Sequence, residues 1–140
     1  MAAAVDLSRT KGCYCLAARR TARAVTRFYE AKLRQHGLRA TQFSILAALA
    51  LKGPTPVREL ADLLGLERTS LSRSATLLER NGWIGADRSQ DVRQRRLALK
   101  PAGRGKLEAA LPAWQDAQDA FGRMAAKNES IFRLPSDSKA

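Results

Sequence analysis

The sequence is poor in the residues that build metal, disulfide and triad sites. Among its 140 residues there are one histidine, His36, and two cysteines, Cys13 and Cys15, which form a lone C-x-C pair. These are too few ligands for a structural zinc site, and a single histidine argues against a His-based catalytic triad. We therefore expect no metal site, no cofactor and no enzyme activity, and two free thiols in a reducing compartment.

Long apolar runs are also missing. No stretch approaches the roughly 18 apolar residues needed to span a bilayer, and the first residues lack the basic and apolar regions of a signal peptide. With 45% hydrophobic and 27% charged residues, the composition is typical of a folded domain. The expectation is one cytoplasmic domain with no membrane partner.

Acidic residues are scarce relative to basic ones. The chain has 25 Lys and Arg against 13 Asp and Glu, a net charge of +12. A surplus of this size indicates a polyanionic partner, nucleic acid first and an anionic membrane surface second. The charge lies in two blocks: residues 9–39 hold nine basic residues and one acid, and residues 68–106 hold ten basic residues and three acids.

The first basic block lies on a predicted helix over about residues 13–35. Its apolar residues form a face wider than a solitary surface helix needs. On the remaining face Arg19, Arg23 and Arg27 recur every four residues. These arginines are either an ordinary solvated face, or they border a nucleic-acid surface or a subunit contact.

Two amphipathic helical patterns follow a second apolar helix over residues 40–51. The first covers residues 56–64, with Thr55 expected as its N-cap and Pro56 as its first helical residue. Gly65 ends it, and the next helix is predicted over about residues 67–81. A helix, a short glycine-containing turn and another amphipathic helix indicate a helix-turn-helix unit.

The outward face of the later helix contains no acidic residue. Its members are basic or carry short hydroxyls: Arg68, Thr69, Ser70, Ser72, Arg73 and Thr76. Short hydroxyls let a helix approach phosphates and base edges closely, and arginine can pair with guanine through two hydrogen bonds. An ordinary polar helix would normally mix in Glu or Asp. This helix is therefore predicted to bind DNA.

A β-hairpin wing is predicted after this helix. An apolar start at residues 83–84 and an alternating stretch at residues 96–100 flank an arginine-rich loop. Its candidate DNA contacts are Arg88, Asp91, Arg93 and Arg95, with Asp91 placed to aim the Arg93 guanidinium. Such a tip reaches phosphates and the minor groove. A flexible basic loop is the alternative.

The last predicted helix opens at Pro101. Pro112 should kink or interrupt it, because proline removes a backbone donor and its ring clashes with the preceding turn. An apolar stripe from Trp114 to Met124 continues beyond that point.

The order of these elements and several motifs resemble the MarR family of winged helix-turn-helix transcriptional regulators. The motifs are Gly37-Leu38 with Thr41-Gln42-Phe43, Val57 to Ala61, Leu64 to Arg73, Leu78 to Ile84, and Asp91-Val92-Arg93. The resemblance implies a mostly α fold with a small β-hairpin wing (α+β). A winged domain at 37–100 is expected between dimerisation helices at 1–36 and 101–140.

The resemblance also implies a partner and a mode of action. A homodimer would grip a palindromic operator in double-stranded DNA, acting as a repressor. In this family a ligand, or an oxidised cysteine, between the dimer helices and the winged domains changes that grip. Candidate ligand-pocket residues for a small-molecule effector are Phe28, Tyr29, His36 and Phe43, which core packing explains equally well.

Cys15 near the start of the first helix is similar to the reactive cysteine of the organic-hydroperoxide-sensing branch of that family. Tyr29 would be its supporting tyrosine, and Cys13 a second thiol. Fourteen residues of helix span about 21 Å, so Tyr29 would reach Cys15 only from the other subunit. A second supporting tyrosine expected near Ala40 is absent. The alternative is that both thiols are buried small hydrophobes.

A basic RNA- or ribosome-associated protein is the alternative from another class. Such a protein would use the same arginines to recognise RNA shape. The chain lacks interleaved aromatics on a sheet, and the hydroxyls at residues 69–76 would then have no clear task. The effector, the operator and the sign of regulation are open.

Overall fold

The computed structural model describes residues 3–87 and 95–127, which are mostly helical with a small antiparallel sheet. The helices are α1 (Tyr14–Leu33), α2 (Ala40–Lys52), α3 (Val57–Leu64), α4 (Arg68–Arg80) and α5 (Pro101–Lys127). The strands are β1 (Thr55–Pro56), β2 (Ile84–Asp87) and β3 (Arg96–Leu99), and short 3-10 turns occupy Ser8–Gly12 and Arg34–His36. The predicted α+β fold class is confirmed.

Helix α2 lies at the centre of the core. It contacts α1, α3, α4, α5 and β3, and six of its thirteen residues are buried. A helix that is apolar on most sides must be covered on most sides. The surrounding elements pack Leu33, Leu60, Leu71, Leu78, Ile84 and Leu97 into the same cluster.

Helices α3 and α4 form the predicted helix-turn-helix. Gly65 ends α3 as predicted, and it does so in the left-handed conformation, with φ 64°. Helix α4 buries Leu71, Ala75 and Leu78. Its opposite face is therefore left on the surface.

The prediction that Thr55 caps α3 is wrong by one residue. Helix α3 begins at Val57, and Pro56 is its N-cap. Thr55 belongs to β1 instead, where it pairs with Leu97, and its hydroxyl donates to the Gly53 carbonyl oxygen at 2.9 Å. Extended pairing with β3 competes with the cap geometry and prevails.

The sheet has the order β1-β3-β2. Strands β2 and β3 pair antiparallel from Ile84 opposite Leu99 to Asp87 opposite Arg96, which confirms the hairpin at its base. Strand β1 was not predicted, because two residues carry no alternating pattern.

Helix α5 runs past Pro112 without interruption, so of the two effects predicted for this proline, a kink or an interruption, the interruption is wrong. Pro112 is exposed, and solvent can satisfy the carbonyl that its missing N–H leaves unbonded. Tertiary packing also supports the helix: α5 contacts α1 and α2, and Ala110, Ala113 and Ala117 are buried on that side.

Helix α1 is covered only in part. Leu33 is its one buried residue, Val25, Phe28 and Tyr29 are half-buried, and residues 3–20 are all exposed. Within the described ranges 3–87 and 95–127, no helix is long and apolar enough to cross a bilayer.

Candidate nucleic-acid interface and effector sites

The outward face of α4 is the central part of the candidate interface. Arg68, Thr69, Ser70, Arg73 and Thr76 are exposed along it, and Ser72 is half-buried. The three apolar residues of the opposite face anchor the helix in the core. The Thr76 hydroxyl donates to the Ser72 carbonyl oxygen at 2.8 Å, while Arg68 and Arg73 extend from a rigid support. The structure thus brings all six helix candidates onto one accessible surface.

Arg95 lies beside α4 but is engaged within the chain. Its guanidinium donates to a carboxylate oxygen of Glu79, near the C-terminal end of α4. Its carbonyl oxygen accepts a hydrogen bond from the backbone N–H of Val57 at 3.1 Å. The other three wing candidates, Arg88, Asp91 and Arg93, lie outside the described residues.

A cleft of about 670 Å³ opens between α3, the start of α4 and Arg95, which directly precedes β3. Its lining residues are Pro56, Val57, Arg58, Glu59, Asp62, Arg68 and Arg95. Among these residues, Glu59 forms an ion pair with Lys52 at 2.7 Å. Arg58 was not predicted as a DNA-binding residue. The one sequence feature that could have indicated it is that it is the only basic residue of α3.

The two cysteines are exposed at the start of α1. The interpretation of them as buried small hydrophobes is therefore wrong for the single chain, because no other described element covers this turn. A guanidinium nitrogen of Arg19, one turn further on, donates to the Cys15 sulfur at 3.7 Å. Cys15 thus has a cationic neighbour on its own helix.

Tyr29 is separated from Cys15 within the chain and contacts α5 instead. Its hydroxyl donates to the side-chain carbonyl oxygen of Gln118, and its ring lies 6.3 Å from those of Phe28 and Phe121. Partial burial raises the pKa of Tyr29 above its ordinary value. Among the predicted redox residues, only Cys13 and Cys15 are neighbours.

A cavity of about 280 Å³ lies between α1, α2 and α5. Its lining residues are Val25, Thr26, Tyr29, Leu33, Ala40, Phe43, Ser44, Trp114 and Gln118. Tyr29 and Phe43 of the predicted ligand residues line it, and Phe43 stacks on Trp114 with ring centroids 5.8 Å apart. The remaining two lie elsewhere: Phe28 packs edge-on against Phe121, and His36 ends the 3-10 turn after α1.

In the described part of the chain, no group of three or more His, Cys, Asp or Glu residues is arranged to hold a metal ion. The described residues thus form three candidate functional sites: the α4 face with its cleft, the exposed thiols, and the cavity beside Tyr29.

Comparison with known proteins shows that this chain is similar to transcriptional regulators. A family model described as the MarR family matches residues 36–97. The HTH-type transcriptional regulator YwoH of Bacillus subtilis is 28% identical over 88 residues, which are 63% of this chain and 64% of YwoH. Similar Bacillus cereus regulators are matched over 59% of their length. The chain thus spans somewhat less than two thirds of these relatives.

Solved structures match over a greater length. The M. tuberculosis transcriptional regulator MosR is 32% identical, with a TM-score of 0.72, and the match covers 91% of this chain and 88% of MosR. MosR in complex with DNA matches at 35% identity, with a TM-score of 0.68 over 89% and 86% of the two chains. The regulator AbfR, solved reduced and bound to DNA, is 25% identical, with a TM-score of 0.65 over 89% and 96%. The chain belongs to the MarR family of winged-helix transcriptional regulators.

Proposed function

We propose that this protein is a homodimeric, sequence-specific double-stranded DNA-binding regulator that acts as a repressor at a palindromic operator. The exposed α4 face carries this proposal. It combines short hydroxyls with Arg68 and Arg73 on a helix whose other face is buried. Such a helix inserts into a major groove without moving the core.

Charge and comparison support the same proposal. The chain carries a net charge of +12, and a protein that neutralises phosphates gains affinity from counterion release. Arg58 adds a basic side chain to the cleft beside Arg68. MosR and AbfR, which share the fold over most of this chain, have both been solved with DNA.

Dimerisation is part of the proposal because of symmetry. Two recognition helices in successive major grooves must lie about 34 Å apart, so a palindromic site requires two copies held at that spacing. The exposed apolar residues of α1 and α5, Leu16 and Met124, supply a surface for a second copy.

The effector site in this proposal is the cavity beside Tyr29. It joins α1 and α5, which hold the dimer in this scheme, to α2 of the winged domain. A small ligand that binds there more tightly in one dimer geometry shifts the population toward it. With Phe43, Trp114 and the Tyr29 hydroxyl in its wall, the cavity suits a small aromatic molecule with one polar group.

Selection of duplexes from a random pool, followed by two substitutions, tests the DNA-binding function. Arg73→Ala should cost about 1–3 kcal/mol against the selected site and relax its sequence preference. Arg93→Ala should weaken binding to all duplexes and flatten the salt dependence. Arg123→Ala on α5 is the control and should leave both unchanged.

Two outcomes would contradict the proposed function. If Arg73→Ala and Arg93→Ala both leave binding unchanged, the docking arrangement is wrong. If random RNA binds as tightly as the selected duplex at the same salt concentration, the RNA-associated alternative is favoured.

A second candidate function is thiol-based sensing of organic hydroperoxides, favoured by the exposed Cys15 with Arg19 beside its sulfur. The thiolate form of a cysteine is the nucleophile in this chemistry. The thiolate would attack a peroxide oxygen and become a sulfenic acid, and the O–O bond would break to release the alcohol after protonation. The structural relative AbfR has been solved in reduced, overoxidised and disulfide forms.

Operator release before and after peroxide treatment tests the redox candidate. Cys15→Ser should abolish the response, while Cys13→Ser, two residues away, should still form the sulfenic acid at Cys15. No peroxide effect on the wild type would end the redox candidate and leave the DNA-binding proposal intact.

A further inference from the structure

We propose that Glu79 and Arg95 form a joint that fixes the start of strand β3 relative to helix α4, and that Arg95 serves this joint and not a DNA phosphate. Glu79 is then a positioning residue for DNA recognition. The inference rests on the proposed DNA-binding function and reassigns one of its predicted contacts.

The contacts of Arg95 connect three elements. Its side chain donates to Glu79, sixteen residues away, in the last turn of α4. Its main-chain carbonyl accepts the N–H of Val57, the first residue of α3, at 3.1 Å. The neighbouring Arg96 donates to the Pro54 carbonyl oxygen at 2.9 Å. The point where β3 begins is thus bonded to both helices of the helix-turn-helix unit.

The energy of the ion pair is small, but its geometry is restrictive. The side chains of Arg95 and Glu79 are 54% and 30% exposed, and pairs at such positions contribute little to stability. A guanidinium bonded to a carboxylate nevertheless holds a defined orientation, because its donors form a rigid fork. The pair therefore restricts the position of the start of β3 relative to α4 more than it stabilises the fold.

Net charge is a second reason why Arg95 is not expected to contact a DNA phosphate. Arg95 and Glu79 together carry no net charge, so placing the pair near a phosphate releases no counterion. Arg68 lines the same cleft, and no ion-pair partner is found for it in the parts of the chain that the structure describes. Arg68 is thus free to neutralise a phosphate where Arg95 is not.

The salt dependence of binding to one random-sequence duplex distinguishes the two roles. Plots of log K against log salt concentration change slope by about 0.9 for each phosphate that the protein no longer neutralises. We expect the double variant Arg95→Gln with Glu79→Gln, which removes the pair without changing the net charge, to keep the wild-type slope, and the matched control Arg68→Gln to reduce it. A reduced slope for the double variant would overturn the proposal.

Binding to the selected operator tests the joint itself. Glu79→Gln and Arg95→Gln should each lower the ratio of operator to random-duplex affinity by about two- to tenfold, and the double variant should be no worse than either single variant. If Glu79→Gln raises affinity for all duplexes, Glu79 merely competes with phosphates for Arg95, and the proposal is wrong. This variant decides the question even if Arg95→Gln fails to fold.

A measurement without DNA separates failure of the joint from failure of the proposed function. In 15N-labelled wild-type protein, the Arg95 side-chain N–H groups should exchange with water more slowly than in Glu79→Gln. Equal exchange rates would overturn the joint. If the rates differ and the wild type binds no duplex, DNA binding fails and the joint survives as a structural feature.

Discussion

Gly103 lies where α5 passes the backbone that leads into β2. A Cβ atom on this residue would be 2.0 Å from the carbonyl oxygen of Trp83, and that oxygen already accepts the Lys100 N–H at 2.9 Å. Helix and strand meet here backbone to backbone. A side chain of any size would force them apart.

Gly103→Ala should therefore destabilise the fold by about 3 kcal/mol or more, because it overpacks a contact between two backbones. Gly105→Ala is the matched control in the same helix, since a Cβ there has no neighbour within 4 Å. That change should stabilise the fold by up to about 1 kcal/mol. Urea or thermal unfolding of both variants measures the difference; equal stabilities would contradict the packing.

The glycines differ in how much of their role is visible in the local sequence. Gly37 and Gly65 follow apolar-periodic segments, and both have the left-handed conformation common at helix ends, with φ 68° and 64°. Gly103 is inside a helix and has no local signal of its role. Its constraint comes from Trp83, twenty residues earlier, so only the folded chain reveals it.

At the scale of elements, Pro112 is the main departure from expectation. Helix α5 continues through it to Lys127, which means that packing against α1 and α2 outweighs a weakness that the isolated helix would show. The proline still removes one backbone hydrogen bond. Intrinsic helix preference alone therefore predicted the wrong extent for helix α5.

Pro112→Ala should raise stability by about 1–3 kcal/mol, because it returns the N–H that can bond the Glu108 carbonyl. Thermal unfolding checks this, and Ala109→Pro, at another exposed position of α5, should lower stability by a similar amount. A loss of stability in Pro112→Ala would mean that the proline shapes α5 for its packing on α1.

The candidate interface was predictable only in part, because only part of it depends on local helical periodicity. The six helix residues from Arg68 to Thr76 share a face because helical periodicity is local. The cleft with Arg58, and the bond from Arg95 to Glu79, bring together three separate segments. No spacing rule in the sequence links residues 79 and 95.

At the scale of the whole molecule, the uncovered face of α1 has its largest consequence for association with a second copy of the chain. Leu16 is 40% exposed and Met124 of α5 is 51% exposed, and α1 and α5 contact each other. Apolar surface on neighbouring helices is costly in water and suited to a second copy. The proposed operator grip depends on that second copy.

Leu16→Glu should convert the proposed dimer into a monomer and with it abolish operator binding, because a buried unpaired carboxylate costs several kcal/mol. Leu51→Glu is the control: Leu51 is 87% exposed at the end of α2 and should tolerate the charge with no change in oligomeric state. Sedimentation velocity of the wild type and both variants gives the result. A monomeric wild type, or a dimeric Leu16→Glu, would contradict this model of assembly.

Local sequence patterns were enough to predict the helical order, the buried faces of α3 and α4, the hairpin base and the concentration of basic residues on one helix face. These features follow from interactions within one or two turns. The pairing of β1, the continuity of α5, the exposure of the thiols, the cavity beside Tyr29 and the Glu79–Arg95 joint became visible only in the folded chain. Each depends on segments far apart in the sequence, and their meeting is set by how the core packs.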